Sequence, residues 1–349
     1  MRRRAILLAL PAGALWRSGH ALPPAQLRFP RDFGAHPDLR TEWWYATGHA
    51  AAGSREFGFQ LTFFRTRVDA TQQMRSRFAA RQLVFAHAAL TDVQGQRLWH
   101  DQRIAREGFD IARAAAGDTD LRLRDWSLAR RADGYHARLA AAEFALELRL
   151  APTQPVLLQG EQGLSRKGPQ AVHASYYYSE PQLAVDGAVT LQGRRLECRG
   201  RAWLDHEWSE ALLHPQAVGW DWIGMNLEDG GALTAFRLRR EDGSALWAGG
   251  SLRPRGGAVQ VFEAAQVEFV PGRRWTSPLS QAAYPVEWIV RTPAGAFTVR
   301  AVIDQQELDS RGSTGAIYWE GLSDLLDGAG RRVGRGYLEM TGYAQRLRL

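Results

Sequence analysis

From residue 40 onward the chain is written in short runs in which apolar and polar residues alternate, and this constrains the fold more than any other feature. REFGFQLTFFRTR, LVFAHAALTDVQGQRLWH, DGYHARLAAAEFALELRLAP, LAVDGAVTLQGRRLECRGRAWL, DWIGMNLEDGGALTAFRLRREDGSALWAGG and YPVEWIVRTPAGAFTVRAVID all carry this period of two, the mark of strands with one face buried. Between and within them stand Asp133-Gly134, Asp186-Gly187, Asp229-Gly230-Gly231 and Asp242-Gly243, residues suited to the backbone of tight hairpins. Strands joined by hairpins pair antiparallel. Helical periodicity is confined to MRSRFAARQLVFAHAAL and SEALLHP, both short or ambiguous, so the expected class is all-β.

A chain of 349 residues with 13 tryptophans is long enough for two cores. The architecture that accounts for most of it is an antiparallel β-barrel or strongly bent sandwich, present twice. Alternation stops in SEALLHPQAVG, residues 209–219, which places a first domain over 36–208 and a second over 209–349. Exchange of strands between the halves near Pro152 to Pro169 is the other arrangement compatible with the pattern.

The first 21 residues read differently. MRRR precedes the apolar AILLALPAGALW, and Gly19-His20-Ala21 offers small residues for a cleavage site, the layout of a secretory signal peptide. The paired arginines leave twin-arginine export open. Removing this segment lowers the formal charge from +7 to +3, and no basic block is interleaved with aromatics, so nucleic acid is not an expected partner. No apolar run is long enough to span a bilayer as a helix. The single cysteine, Cys198, excludes an intrachain disulfide and a thiolate metal cluster.

Strand geometry sorts the acid-aromatic clusters into faces, because residues two apart share a side. In RAWLDHEW one lane holds Trp203, Asp205 and Glu207; the more apolar lane holds Ala202, Leu204, His206 and Trp208, which points His206 and Trp208 inward. In GWDWIGMNL, Trp220 and Trp222 share one lane, while Asp221 lies with Ile223, Met225 and Leu227. Asp221 is therefore a candidate buried carboxyl, protonated by desolvation and able to act as a general acid, unless donors or an arginine satisfy it. Tyr176 and Tyr178 share a face, as do Tyr318 and Glu320. Such rings either pack the barrel or line an elongated cavity for an apolar ligand.

Other chemistries find less support. His206 stands beside Asp205 and Glu207, with His214 or Asp221 as further ligands, but HEWSE lacks a second histidine and neighbouring strand residues face opposite ways, so no metal is expected. GLSRKG is not a Gly-x-Ser-x-Gly elbow. No cofactor-binding motif is found.

Taken together, HPDLRTEWWYATGH, SYYYSEPQLAVDGAVTL, GRAWLDHEWSE, GWDWIGMNLEDG and YWEG followed by GRGYLEMTGY resemble the AttH-like family of lipocalin-like proteins, which includes the carotenoid 1,2-hydratases (hydroxyneurosporene synthases). The resemblance runs over about residues 36 to 345. It implies two consecutive lipocalin-like barrels and, as in many bacterial members, export. In the hydratase branch a histidine, a nearby tryptophan and a downstream aspartate matter; the matching positions are His206, Trp208 and Asp221. A tyrosine that accompanies that aspartate has no counterpart, since Gly219 and Trp220 precede Asp221.

The expectation is thus a secreted, cofactor-independent protein that adds water to a C=C bond of a long apolar lipid or isoprenoid. Asp221 would be the acid, His206 would orient it or guide the water, Glu207 and Glu42 would be reserve acids, and Trp208, Trp220, Trp222, Glu42, Trp44, Tyr176, Tyr178 and Tyr318 the substrate contacts. A non-catalytic periplasmic lipid carrier and a secreted ester or amide hydrolase are the alternatives.

Overall fold

The computed structural model describes residues 21–24 and 26–348. The expected leader therefore lies outside the described residues apart from Ala21. Two large antiparallel sheets account for nearly all regular structure, one of thirteen strands and one of ten. The first runs from Thr41–Ala52 to Arg194–Ala211 and the second from Gly219–Leu227 to Arg332–Met340. Among the described residues, helix is limited to three short 3-10 turns. The ambiguous stretch at 74–90 resolves into an irregular segment and most of the strand Gln82–Asp92: Val84, Ala86, Ala88 and Leu90 alternate into the core, and period two overrides the weak helical one.

At the centre of the first sheet, Thr41–Ala52 pairs with Arg55–Arg67 on one side and with Arg194–Ala211 on the other. The outer edge strand, Arg97–Arg106, leads through Gly108 into the opposite edge at Ala112–Ala114, so the sheet curls into a nearly closed barrel. Trp44, Ala46, Phe59, Leu61, Trp126, Leu204 and Trp208 fill it. Ile223, Met225, Trp288, Trp319, Leu338 and Met340 fill the second.

The opposite faces of the central strands are also covered. Tyr45 and Trp203 from the first barrel meet Trp222, Phe236, Leu322 and Tyr337 from the second. This two-sided burial explains the aromatic density of TEWWYATGH. Trp44 enters the first core and donates its indole N–H to the Phe33 carbonyl at 3.0 Å, whereas Tyr45 faces the other barrel. Close approach is possible because small residues sit at the contact: a Cβ on Gly58 would lie 2.8 Å from the Tyr337 hydroxyl and 2.9 Å from Leu322. Gln182, at a register shift in Ala174–Leu191, adds a polar stitch. Its backbone N–H donates to Asn226 Oδ1 at 2.7 Å, and its amide donates to the carbonyls of Leu227 and Gly231.

Candidate functional site between the barrels

Where the facing sheets diverge they leave a cavity of about 310 Å³. Its walls follow from strand alternation. Trp43 and Tyr45, Phe64, Phe85 and His87, and Asp205 and Glu207 come from the outward lanes of the first barrel; Trp220 and Trp222, Phe236, Tyr318 and Glu320, and Glu339 come from the second. The enclosure is mostly aromatic, with carboxyl groups set into it.

Two of those carboxyls oppose each other directly: Glu320 on Ala316–Leu326 is the cross-strand partner of Glu339 on Arg332–Met340. Like charges in this position repel, and burial disfavours ionisation further. Burial, reinforced by the Glu339 charge, pushes Glu320 well above the usual carboxylate range. Glu339 rises to about 7, through burial and the nearby Asp205 and Glu207 charges, opposed by the Trp220 indole N–H. Tyr45 approaches Glu320 without a well-formed hydrogen bond, and Glu320 Oε1 has no hydrogen-bond partner among the described residues. The pair can hold a proton at neutral pH.

Asp205 is fixed by the donors Tyr177 at 2.7 Å, Ser179 at 2.5 Å and Trp203 at 2.6 Å. Burial still moves it up to about 7 against those three lowering contacts. Glu207 accepts from Ser175 and lies 3.0 Å from the Lys167 ammonium. That ammonium also sits 4.2 Å from the Phe236 ring centroid and 4.8 Å from that of Tyr177, so its charge is compensated inside the wall.

His87 contributes a different group. Its Nδ1 lies 2.8 Å from the Tyr318 hydroxyl and its Nε2 2.8 Å from Ser313 Oγ. The Gln60 amide donates to Tyr318 and Ser313 donates to Gln102 Oε1, so the chain runs Tyr318 to His87 to Ser313 to Gln102. In that order His87 donates its Nε2–H hydrogen bond to Ser313 rather than accepting one from it. Burial holds the imidazole down at about 3, and among the described residues no carboxylate is hydrogen-bonded to it as a triad requires.

The anticipated site residues divide among three places. Glu207, Trp220, Trp222 and Tyr318 line the cavity, which Glu42 only borders, its carboxylate being held in the first barrel's interior. His206, Trp208, Trp44, Tyr176 and Tyr178 belong to the first barrel's interior. There His206 Nε2 lies 2.9 Å from Glu42 Oε1, Trp44 stacks on its ring at 4.4 Å, and Trp208 stacks on His36 at 3.9 Å. Burial lowers His206 to about 4. The buried Glu42 is held ionised by His206, His36 and the Arg65 guanidinium, the last at 2.8 Å. His36, Glu42 and His206 have atoms within 4.8 Å of one another, a spacing suited to a metal ion. The donors already on the carboxylate account for the cluster without one.

Asp221 requires a correction. It does lie in an aliphatic lane, but inside the second barrel, 2.7 Å from Arg237 and 3.0 Å from Arg239, and it accepts from Tyr343 at 2.9 Å. Two guanidinium groups and a phenol surround it, and it does not meet His206, whose partners are Glu42, Tyr178 and the Asp32 carbonyl. The proton donor assigned to Asp221 has to be sought in the cavity instead. Arg237 and Arg239 share the lane of Leu233 and Ala235, and cations in an apolar lane signal a buried acid partner. Glu339 and Lys167 were not anticipated; Glu339 shares a lane with Tyr337 as Glu320 does with Tyr318, but only the register joins the two.

Two antiparallel barrels packed around an aromatic, acid-bearing cavity define a lipocalin-like protein of the two-domain kind. The AttH-like family model matches residues 20–343, and the chain belongs to that family. An AttH protein from Nitrosomonas europaea, known as a crystal structure, is 48% identical, with 93% of this chain and 99% of that one covered and a TM-score of 0.86. Kievitone hydratase from Nectria haematococca shares the fold at 13% identity and a TM-score of 0.69, over 90% of this chain and 94% of its own. CghA with Sch210972 does so at 14% identity and 0.53, over 88% and 90%. No curated protein matches the sequence.

Proposed function

We propose that the protein catalyses acid-promoted addition of water to a C=C bond of an apolar lipid or isoprenoid bound between the barrels. The observation that carries this reading is the opposed Glu320 and Glu339 pair within an aromatic enclosure. Glu320, held protonated, delivers its proton to one alkene carbon. The cation left on the other carbon is flanked by Trp43, Trp220, Trp222 and Tyr318, whose ring faces attract positive charge. Water attacks that carbon and returns a proton to the carboxyl pair, so the net change is addition of one water and the enzyme is unaltered. The hydratase and CghA likenesses of fold are compatible with this chemistry. The amino-terminal Arg and apolar segments support export to the periplasm or beyond, tested by the amino-terminal sequence of protein recovered from the periplasmic fraction.

The test is incubation of wild type, Glu320→Gln and Glu339→Gln with host lipid extract in oxygen-18 water, read by mass spectrometry. A labelled hydrated product with wild type, reduced about 100-fold or more by Glu320→Gln, is expected. Undiminished label incorporation by both variants would remove the pair from the mechanism; a lipid that co-purifies with wild type and never turns over would favour a carrier.

A further inference from the structure

Half of the large apolar side chains that the described structure exposes come from one short region: Met74, Phe78, Ile104, Phe109 and Ile111. Phe78 is 65% and Met74 50% exposed, far more than stray packing leaves uncovered. They form a surface. Phe78 and Phe109 stack at 5.4 Å with an interplanar angle of 12°. Arg106 lies over both rings, at 5.4 and 4.0 Å, and Arg77 over both at 5.8 and 5.5 Å. Arg75 and Arg81 are exposed beside them.

The patch is held in place by specific contacts. Arg81 donates to the Met74 carbonyl at 2.7 Å and Arg106 to the Phe78 carbonyl at 2.9 Å, which fixes the segment that displays Met74 and Phe78. Phe109 and Asp110 adopt left-handed backbone angles, φ 57° and 56°, a conformation unfavourable for a bulky aromatic residue unless the surroundings impose it. Here it turns a phenylalanine outward. None of Arg75, Arg77, Arg81 or Arg106 is ion-paired with a carboxylate among the described residues. The nearby acids Asp69 and Glu107 are engaged by Arg67 and by the Ala114 N–H, which leaves Asp110 at the tip.

Position adds to this. Ile104 shares a strand face with Arg106, is the cross-strand partner of Phe85, and lines the cavity with Phe85 and Leu83. Arg106, which lies over the exposed rings, is the cross-strand partner of Leu83, so the patch adjoins the edge of the space between the barrels.

We infer that this surface docks the protein on an anionic lipid bilayer. Apolar rings ringed by unpaired arginines match the boundary between acyl chains and negatively charged headgroups, and docking there opens the cavity toward the membrane. A protein partner would call for carboxylates facing the same arginines in fixed geometry, whereas the exposed Arg75 and Arg77, with no carboxylate partner among the described residues, suit a diffuse negative surface.

The test is flotation of the full chain with vesicles of phosphatidylcholine alone or with a quarter phosphatidylglycerol, without substrate, so that the outcome is independent of the proposed reaction. Three proteins are compared: wild type, Phe78→Ser with Phe109→Asn, and Arg75→Gln with Arg77→Gln. Asparagine tolerates the left-handed backbone at 109, and unchanged thermal midpoints check the fold. The leader is common to all three, so differences between them read the patch. Binding of wild type to the anionic vesicles, weakened by salt and reduced at least tenfold in both variants, is expected. Equal binding by the three proteins, no binding by wild type, or equal binding to neutral vesicles would overturn the inference.

Discussion

Glu320 and Glu339 show how much a single register matters at the scale of the residue. Each is an ordinary acid in an aromatic strand; burial between the barrels raises both above the ordinary carboxylate range, and the Glu339 charge set opposite Glu320 raises Glu320 further. A general acid must hold its proton at working pH. Activity is therefore expected to persist above pH 7, where Glu339 ionises, and to fall only where Glu320 itself loses its proton; because the Glu339 charge helps to raise Glu320, a plot of log kcat/KM against pH would show this limb moved to lower pH in Glu339→Gln. Retention of the same limb in that variant would place the titration elsewhere. Glu42 behaves in the opposite sense: its carboxylate is stabilised in the fold by His206, His36 and Arg65. Glu42→Gln leaves the buried Arg65 guanidinium without its counter-charge, and breaking such a pair is expected to destabilise the protein by about 3–5 kcal/mol in chemical denaturation. Because the folded-state value is depressed, that stabilisation is present above the ordinary glutamate value and is lost as pH falls below it, so wild type and variant should converge toward acid.

Individual strands carry a second kind of information, and here the limits of reading a sequence are physical. Alternation was enough to place His206 and Trp208 on one side of their strand and Asp205 and Glu207 on the other, and to put Asp221 with Ile223 and Met225; the structure has these same lanes. What a lane faces is a property of the neighbouring element. The inward lane at His206 leads into a filled core and the lane at Asp205 into a cavity, although both carry large aromatics. Asp221 meets Arg237, its cross-strand partner, and the strength of that pairing depends on a strand that alternation alone does not align. Contact between the barrels is equally invisible before assembly, yet testable at one position. Gly58→Val would push a branched side chain into Tyr337 and Leu322, and overpacking of this kind should destabilise the protein by about 1–3 kcal/mol. A midpoint of unfolding unchanged in Gly58→Val would mean that the barrels separate readily enough to accommodate it.

For the molecule as a whole, the buried ionisable groups set a stability profile with two opposing arms. His87 and His206 are depressed to about 3 and about 4, so they stay neutral in the fold while the unfolded chain takes up protons below about 6.5; their effect is a loss of stability as pH falls through that range. Asp205 and Glu339, raised to about 7, and Glu320, raised further, act the other way. Their folded forms hold protons that the unfolded chain has released, so the stability they lend is complete below about pH 4 and drains away as pH rises through 7. All three face the space between the barrels, and their ionisation puts like charges on both sides of it. The Glu320→Gln, Glu339→Gln double variant lacks two of these groups. Its thermal midpoint relative to wild type should therefore climb steadily between pH 5 and pH 8, with a change on the order of a few kcal/mol in the stability difference. Parallel melting curves across that range would show that the carboxyls are already ionised in the folded protein, as in the unfolded chain, which would remove the acid from the proposed chemistry as well as the arm from the profile.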